Sequence, residues 1–150
     1  MLFIFDLDDT TINSQHRQGE TLADWIALNT PENVAKDSLL PLADSWKTIN
    51  QDRDDVVIMT SRVIADADLA FLARSGLRYR FIYSRPEGSM IPCGQLKTAM
   101  VLQCARDLGR SLAWMRSNAY MFDDSNEVRE ALTSLKIKCY NPISYNARNA

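Results

Sequence analysis

The sequence predicts an α/β fold: a single Rossmann-like domain in which helices cover both faces of a central parallel sheet, with little or no cap. Short apolar runs alternate with helix-length segments along the 150 residues, and this alternation is typical of parallel sheets. The hydrophobic content of 46% suffices for one core in a chain of this length. No linker-like stretch or internal repeat divides the chain, so residues 1–150 are predicted to form one domain.

The predicted strands are apolar runs rich in branched and aromatic residues, and the predicted helices lie between them. Pro41 fits the first turn of the second helix, whereas Gly76 and Gly109 fit the ends of the third and fourth. After Pro142 we expect only a polar tail. The strands are predicted at residues 2–5, 54–60, 80–84, 119–122 and 136–141, and the helices at 20–29, 38–51, 65–76, 94–109 and 126–135.

Composition and charge exclude several classes of protein. A net charge of -2 gives no basic surface of the kind that holds long nucleic acids. Cys93, Cys104 and Cys139 form no CxxC pair, so we expect reduced thiols and a cytoplasmic protein. The apolar run at the N-terminus is too short to cross a membrane and lacks a basic leader, so no membrane association or export is expected.

Paired acids follow two of the predicted strands. Asp6, Asp8 and Asp9 follow the first strand, and Asp123 and Asp124 follow the fourth. The carboxyl ends of parallel strands lie at one edge of a sheet, so the two acidic ends are expected to meet there. Crowded carboxylates repel one another and need water or a cation. Oxygen ligands without thiol or imidazole partners favour Mg²⁺ over zinc.

Other polar residues are expected near the same edge. Thr60 and Ser61 follow the second strand, and Lys97 lies at the start of the fourth helix. Each of these features has an ordinary structural explanation: aspartates form turns and helix caps, threonine favours strands, and most lysines are solvated. Their coincidence in one chain favours an active site over these separate explanations.

These residues resemble the four motifs of the haloacid dehalogenase-like (HAD) phosphohydrolase superfamily. The motifs correspond to DLDDT at residues 6–10, Thr60, Lys97 and DDS at residues 123–125, in the family's order and on the expected elements. The resemblance covers nearly the whole chain, from residue 2 to residue 140. It implies a Mg²⁺-dependent phosphomonoester hydrolase that acts through an aspartyl-phosphate intermediate.

The resemblance also implies a role for each motif residue. Asp6 would be the nucleophile. Asp8 would protonate the leaving oxygen and then activate water, while its backbone carbonyl binds the metal. The implied metal ligands are Asp6, Asp8, Asp123 and Asp124, and the implied phosphoryl-binding residues are Thr60 and Lys97.

Within the superfamily, RPEGSMIPCGQLK at residues 85–97 is similar to the stretch before the third-motif lysine in the 3′-phosphatase part of phage-type polynucleotide kinase/phosphatases. Arg17 and Arg62 match two arginines of that family, so the resemblance implies that they and Ser61 bind substrate. Alternatively, the two arginines are ordinary surface residues or ion-pair partners of nearby acids. The chain departs from the pattern at Ser89, where an aspartate is expected, and just before the lysine, where an acidic residue is expected. It contains no P-loop GxxxxGK[ST], so no kinase half is expected.

The favoured substrate is therefore a nucleotide 3′-phosphate or nucleic-acid 3′-phosphate, and the expected partner is a phosphorylated nucleotide or nucleic-acid end. The alternatives are a 5′-nucleotidase or small-metabolite phosphatase with the same machinery, and a catalytically idle binding protein with the same fold. The segments at residues 12–54 and 62–96 are too short for a large cap, which predicts an open site. Trp25 and Trp46 have helical spacing typical of core residues, although either one could stack on a base. The sequence does not predict the oligomeric state.

Overall fold

The computed structural model describes residues 1–150 and contains the predicted central sheet. Five parallel strands lie in the order β5-β4-β1-β6-β7, and a separate antiparallel pair is formed by β2 and β3. The α/β prediction is confirmed. The strands are β1 (Leu2–Phe5), β2 (Ile12–Asn13), β3 (Ser38–Leu39), β4 (Asp55–Met59), β5 (Phe81–Tyr83), β6 (Ala119–Phe122) and β7 (Lys138–Tyr140).

Eight α-helices connect or flank these strands. Their bounds are α1 (Leu22–Leu28), α2 (Pro31–Val34), α3 (Pro41–Lys47), α4 (Asp66–Arg74), α5 (Cys93–Leu108), α6 (Leu112–Asn118), α7 (Asn126–Ser134) and α8 (Ile143–Arg148). None of them has both the length and the apolar character that a membrane crossing requires.

The alternating side chains of the central strands form two core layers. Leu2 and Ile4 of β1 face a cluster with α5, α6 and α7, whereas Phe5 faces a second cluster with α3 and α4. Gly94 lets α5 approach α7 closely, because a Cβ there would lie 3.2 Å from the Cβ of Ala131. This two-sided packing buries β1 and fixes the residues that follow it.

The structure corrects four details of the sequence prediction. The helix predicted at 38–51 is shorter: Ser38–Leu39 pairs with β2, and only Pro41–Lys47 is helical. Segment 12–54 holds three helices rather than the two that were predicted. The predictions left out α6, and the expected tail after Pro142 forms α8. Asn146 of α8 holds this helix by accepting from the Leu42 backbone and donating to the Thr10 carbonyl.

The two tryptophans have different environments. Trp46 is fully buried and stacks on Phe5 with a centroid distance of 4.8 Å, so its assignment to the core is confirmed. Trp25 is only half-buried, and it lines the cleft that contains Asp6. Its assignment to the core was therefore wrong, because α1 has no buried residue at all.

Candidate active site

Lys97 links the two acidic strand ends at the carboxyl edge of the sheet. Its Nζ atom lies 3.0 Å from Asp6 Oδ1 and 2.6 Å from Asp123 Oδ2. Asp6 follows β1, and Asp123 follows β6, which is the neighbour of β1 in the sheet. The three side chains are almost completely buried. The expected meeting of the two acidic strand ends is thus present in the structure.

The side chains of Asp6, Asp123 and Asp124 offer carboxylate oxygens that all lie within 4.8 Å of one another. Asp6 and Asp123 are buried, and Asp124 is half-buried. Carboxylate oxygens are the ligands that Mg²⁺ prefers in proteins. The donor set and its spacing therefore fit a Mg²⁺ ion, which would offset the charge that Lys97 alone does not neutralise.

Burial raises the pKa of Asp6 well above its ordinary value; Lys97 opposes this effect, whereas Asp123 and Asp8 add to it. Burial lowers the pKa of Lys97, but Asp6 and Asp123 outweigh burial and raise it above the usual range. Burial and the neighbouring Asp123 also raise the pKa of Asp124. These pKa shifts are those expected of a site in which the negative charge of the carboxylates exceeds the positive charge of Lys97.

Thr10, to which the sequence analysis gave no role, connects the two acidic ends. Its hydroxyl lies 3.1 Å from Asp6 Oδ2 and 3.3 Å from Asp124 Oδ1, and it accepts from the Asp124 backbone N–H at 3.2 Å. Thr11 donates to the Asp6 carbonyl at 2.8 Å. The only sequence signal for these contacts was the position of both threonines directly after the acids.

Asp8 is held by two side chains. Arg62 binds it through Nε, at 3.0 Å from Oδ2, and through Nη2, while the Ser14 hydroxyl donates to its Oδ1. Burial raises the pKa of Asp8, but the charge and hydrogen bonds of Arg62 outweigh burial and lower it overall. Arg62 therefore favours the ionised form of Asp8.

Arg17 and Arg62 belong to one buried chain of alternating charges. Arg17 binds Asp37 with two hydrogen bonds of 2.8 and 2.7 Å, and Arg62 donates to Asp68 at 2.6 Å. Asp68 also lies 3.3 Å from Arg17, so the series runs from Asp37 to Asp8 without interruption. Both arginines line the cleft while their guanidinium groups are bound to carboxylates.

Thr60 and Ser61 have different surroundings. Thr60 is fully buried, and its Oγ accepts from the backbone N–H of Arg62 at 3.2 Å. Ser61 and Arg62 line the cleft, whereas Thr60 does not contribute to its wall. In this structure Thr60 shapes the loop after β4, and the two residues that follow it line the cleft.

The cleft over these residues has a volume of about 420 Å³. One part of its wall is charged and contains Asp6, Asp8 and Lys97; another part is apolar and contains residues of α1. Arg85 supports the wall by donating to the carbonyls of Ser61, Ser89 and Ile91 at 2.8, 3.2 and 2.7 Å. No feature of the sequence indicates this role of Arg85.

Comparison with protein families gives a match over residues 1–139, to the family described as Bacteriophage T5 5'-deoxynucleotidase. The chain belongs to this family. A search of curated proteins by sequence found no match.

Solved structures of similar fold extend the comparison. A chain of the Pnkp1/Rnl/Hen1 RNA repair complex is 19% identical with a TM-score of 0.69; the match covers 93% of this chain and 41% of that one. A hydrolase from Streptococcus pneumoniae TIGR4 is 10% identical with a TM-score of 0.62, covering 93% and 90%. A HAD-superfamily hydrolase from Geobacter sulfurreducens PCA is 13% identical with a TM-score of 0.63, covering 92% and 84%.

The 5'-deoxynucleotidase family and these neighbours confirm the HAD-like fold and the prediction of an enzyme of the phosphatase class. The chain spans about two fifths of the length of the repair-complex chain that it matches. That likeness concerns the fold alone at 19% identity.

Proposed function

We propose that the protein is a Mg²⁺-dependent phosphomonoesterase that hydrolyses nucleoside monophosphates through a phosphorylated Asp6. The observation that carries the proposal is the position of Asp6 beside Lys97 and the acidic cluster at the base of a cleft. The family described as a 5'-deoxynucleotidase supports a nucleoside 5′-phosphate as the first substrate to test. This was the alternative in the sequence analysis, which favoured a 3′-phosphate.

The metal would be held by the carboxylates of Asp6, Asp123 and Asp124 together with the backbone carbonyl of Asp8. When bound, Mg²⁺ screens the carboxylates so that an anionic phosphate can approach them. Lys97 neutralises part of the charge on the phosphoryl oxygens and on Asp6. Ser61, Arg62 and the backbone around Thr60 support the phosphate from the β4 side of the cleft.

In the first step an Asp6 oxygen attacks phosphorus, and the bond between phosphorus and the nucleoside oxygen breaks. This step needs Asp8 in its protonated form, which the contact with Arg62 disfavours; a substrate phosphate that competes for Arg62 would promote it. Asp8 then gives its proton to the leaving oxygen, so a neutral hydroxyl leaves. In the second step Asp8, now a carboxylate, takes a proton from water. The resulting hydroxide attacks the phosphorus of the aspartyl-phosphate, which restores Asp6 and releases inorganic phosphate.

The pattern at residues 85–97 supports a second candidate, the 3′-phosphate of a nucleotide or nucleic-acid end. A substrate panel separates the two candidates: deoxynucleoside 5′-monophosphates, nucleoside 3′-monophosphates and 3′-phosphorylated oligonucleotides, each with Mg²⁺ and with excess chelator. We expect Mg²⁺-dependent phosphate release that is fastest from the 5′-monophosphates. Full activity with chelator would contradict the proposed metal, and no release from any phosphomonoester would contradict the function.

A further inference from the structure

Helix α1 presents apolar side chains to the cleft. Leu22, Trp25 and Ile26 all line it, and no residue of this helix is buried. Ile26 keeps 47% of its surface exposed, and Met90 on another part of the cleft wall keeps 75%. Apolar side chains that share one cleft without filling it mark a place for an apolar or aromatic ligand group.

The indole ring of Trp25 is held in position by its own loop. Its Nε1 donates to the Gly19 carbonyl at 2.9 Å. Gly19 lies so close to the first turn of α1 that a Cβ there would be 2.1 Å from Asp24 Cβ. Thr21 and Asp24 form a capping box that fixes the start of the helix. Since the polar atom of the indole is already bonded, its carbon surface is available for a flat ligand.

Asn29 follows α1 and also lines the cleft. Its Nδ2 atom lies 2.9 Å from Asp68 Oδ2 and 3.4 Å from the Val63 carbonyl. Both partners are acceptors, which fixes the orientation of the amide. The other end, Oδ1, is a buried side-chain oxygen without a hydrogen-bond partner. The bonds of Nδ2 therefore hold the end of α1 against α4 and the loop after β4, and so fix the position of the apolar wall.

We propose that Leu22, Trp25 and Ile26 form a nucleoside subsite, in which the base packs on the Trp25 indole. This inference rests on the proposed function, because a phosphate at Asp6 places the rest of the substrate in the same cleft. The volume of about 420 Å³ lies within the usual range for small-molecule sites.

The test compares a deoxynucleoside 5′-monophosphate with ribose 5-phosphate, which lacks the base. Trp25→Ala is expected to lower kcat/KM for the nucleotide about tenfold or more, mainly through KM, because stacking stabilises a bound base. The kcat/KM for ribose 5-phosphate should be unchanged in this variant. Trp25→Phe keeps an aromatic face, so its kcat/KM for the nucleotide should fall much less. Trp114→Phe, which lies outside the cleft, is the matched control.

An equal loss on both substrates would mean that Trp25 only supports the fold of the site, and no loss on either would mean that the base lies elsewhere. Both results overturn the inference. A binding measurement separates failure of the nucleoside subsite from failure of the proposed function. A nucleotide should quench fluorescence in wild type but not in Trp25→Phe. Trp25-dependent quenching without hydrolysis would keep the subsite and refute the function. Hydrolysis without a preference for the nucleotide and without quenching would support the proposed function and refute the subsite.

Discussion

The ammonium group of Lys97 lies 3.0 Å from a carboxylate oxygen of Asp6, although 91 positions separate the two residues in the sequence. Asp6 follows the central strand β1, and Lys97 lies in the first half of α5. Both residues are buried, so each depends on the other for its charged state. Lys97 is therefore a structural partner of the acidic cluster as well as a candidate ligand for phosphate.

Lys97→Met should weaken both stability and activity. Removing one partner of a buried ion pair leaves an uncompensated charge and costs about 3–5 kcal/mol in the free energy of unfolding. Because Mg²⁺ would take over part of the compensation, thermal unfolding with and without Mg²⁺ should show a larger stabilisation in the variant than in wild type. We expect kcat/KM to fall about 10²–10³-fold. Lys47→Met, at an exposed position of α3, serves as the control.

Asp6 and Asp8 should fail in different ways. Asp6→Asn replaces the proposed nucleophile by an amide, so hydrolysis should fall to background for every substrate while the fold persists. Asp8→Asn keeps the backbone carbonyl and removes the proposed proton shuttle. The rate of hydrolysis by Asp8→Asn should fall about 10²–10⁴-fold. The fall should be smallest for nitrophenyl phosphate, whose leaving group needs no proton. Phosphate trapping should label Asp6; a label on another aspartate, or normal turnover by Asp6→Asn, would refute the covalent mechanism.

The main parts of the fold and of the acidic site were predictable because their signals are local. Leu2–Phe5 is apolar, and Asp6 directly after it is conspicuous in the sequence. The contacts of Asp68 were not predictable, because an aspartate in the first turn of α4 looks like an ordinary capping residue. Its partners Arg17 and Arg62 lie 51 and 6 positions away, and only the tertiary fold brings all three together.

The short helices α6 and α8 were not predicted, for a related reason. α6 and α8 have only seven and six residues, which is less than two full turns, so neither contains a repeated apolar period. α8 is held by tertiary hydrogen bonds of Asn146 rather than by an amphipathic pattern. The position of Trp25 in the cleft wall was also not predictable. The helical spacing of apolar residues does not show whether the apolar face of a helix contacts the core or a ligand.

Asp68→Ala tests the buried chain of charges. Asp68 accepts from Arg62 at 2.6 Å and from Asn29 at 2.9 Å, and it lies 3.3 Å from Arg17. Its removal leaves two buried arginines with less compensation, which should cost about 3–5 kcal/mol and lower Tm by about 10 °C. Asp68→Asn keeps one acceptor oxygen, so its Tm should fall less than that of Asp68→Ala. Equal stability of wild type and Asp68→Ala would show that Asp37 and Asp8 suffice for the arginines.

The cysteines should differ in their reaction with a thiol reagent. Burial raises the pKa of Cys104 to about 11 and that of Cys139 to about 12, so at pH 8 almost all of both thiols is protonated. The thiolate is the reactive form, and its fraction grows as the pH rises towards the pKa. Cys93 is half-buried in the cleft wall and should react first. Mass spectrometry after brief alkylation measures this order, which fast labelling of Cys104 at pH 8 would contradict.

Arg85 should control the position of the cleft wall. Its Nε donates to the Ser61 carbonyl at 2.8 Å and its Nη1 to the Ile91 carbonyl at 2.7 Å, so one side chain ties the loop after β4 to the loop before α5. Arg85→Ala would leave these carbonyls without a partner, at a cost of about 2–4 kcal/mol. Since the tied loops carry Ser61 and lead to Lys97, kcat/KM should fall for nucleotides and for small aryl phosphates alike.

Arg85→Lys gives the sharper comparison. Lysine keeps the positive charge but lacks the planar group that reaches several carbonyls at once. If Arg85 acts through these hydrogen bonds, Arg85→Lys should resemble Arg85→Ala in Tm and in kcat/KM. If it acts only as a positive charge near the phosphate, the lysine variant should recover most of the activity. Measuring both variants on an aryl phosphate, with Tm recorded in parallel, therefore decides whether Arg85 builds the wall of the site or attracts the substrate.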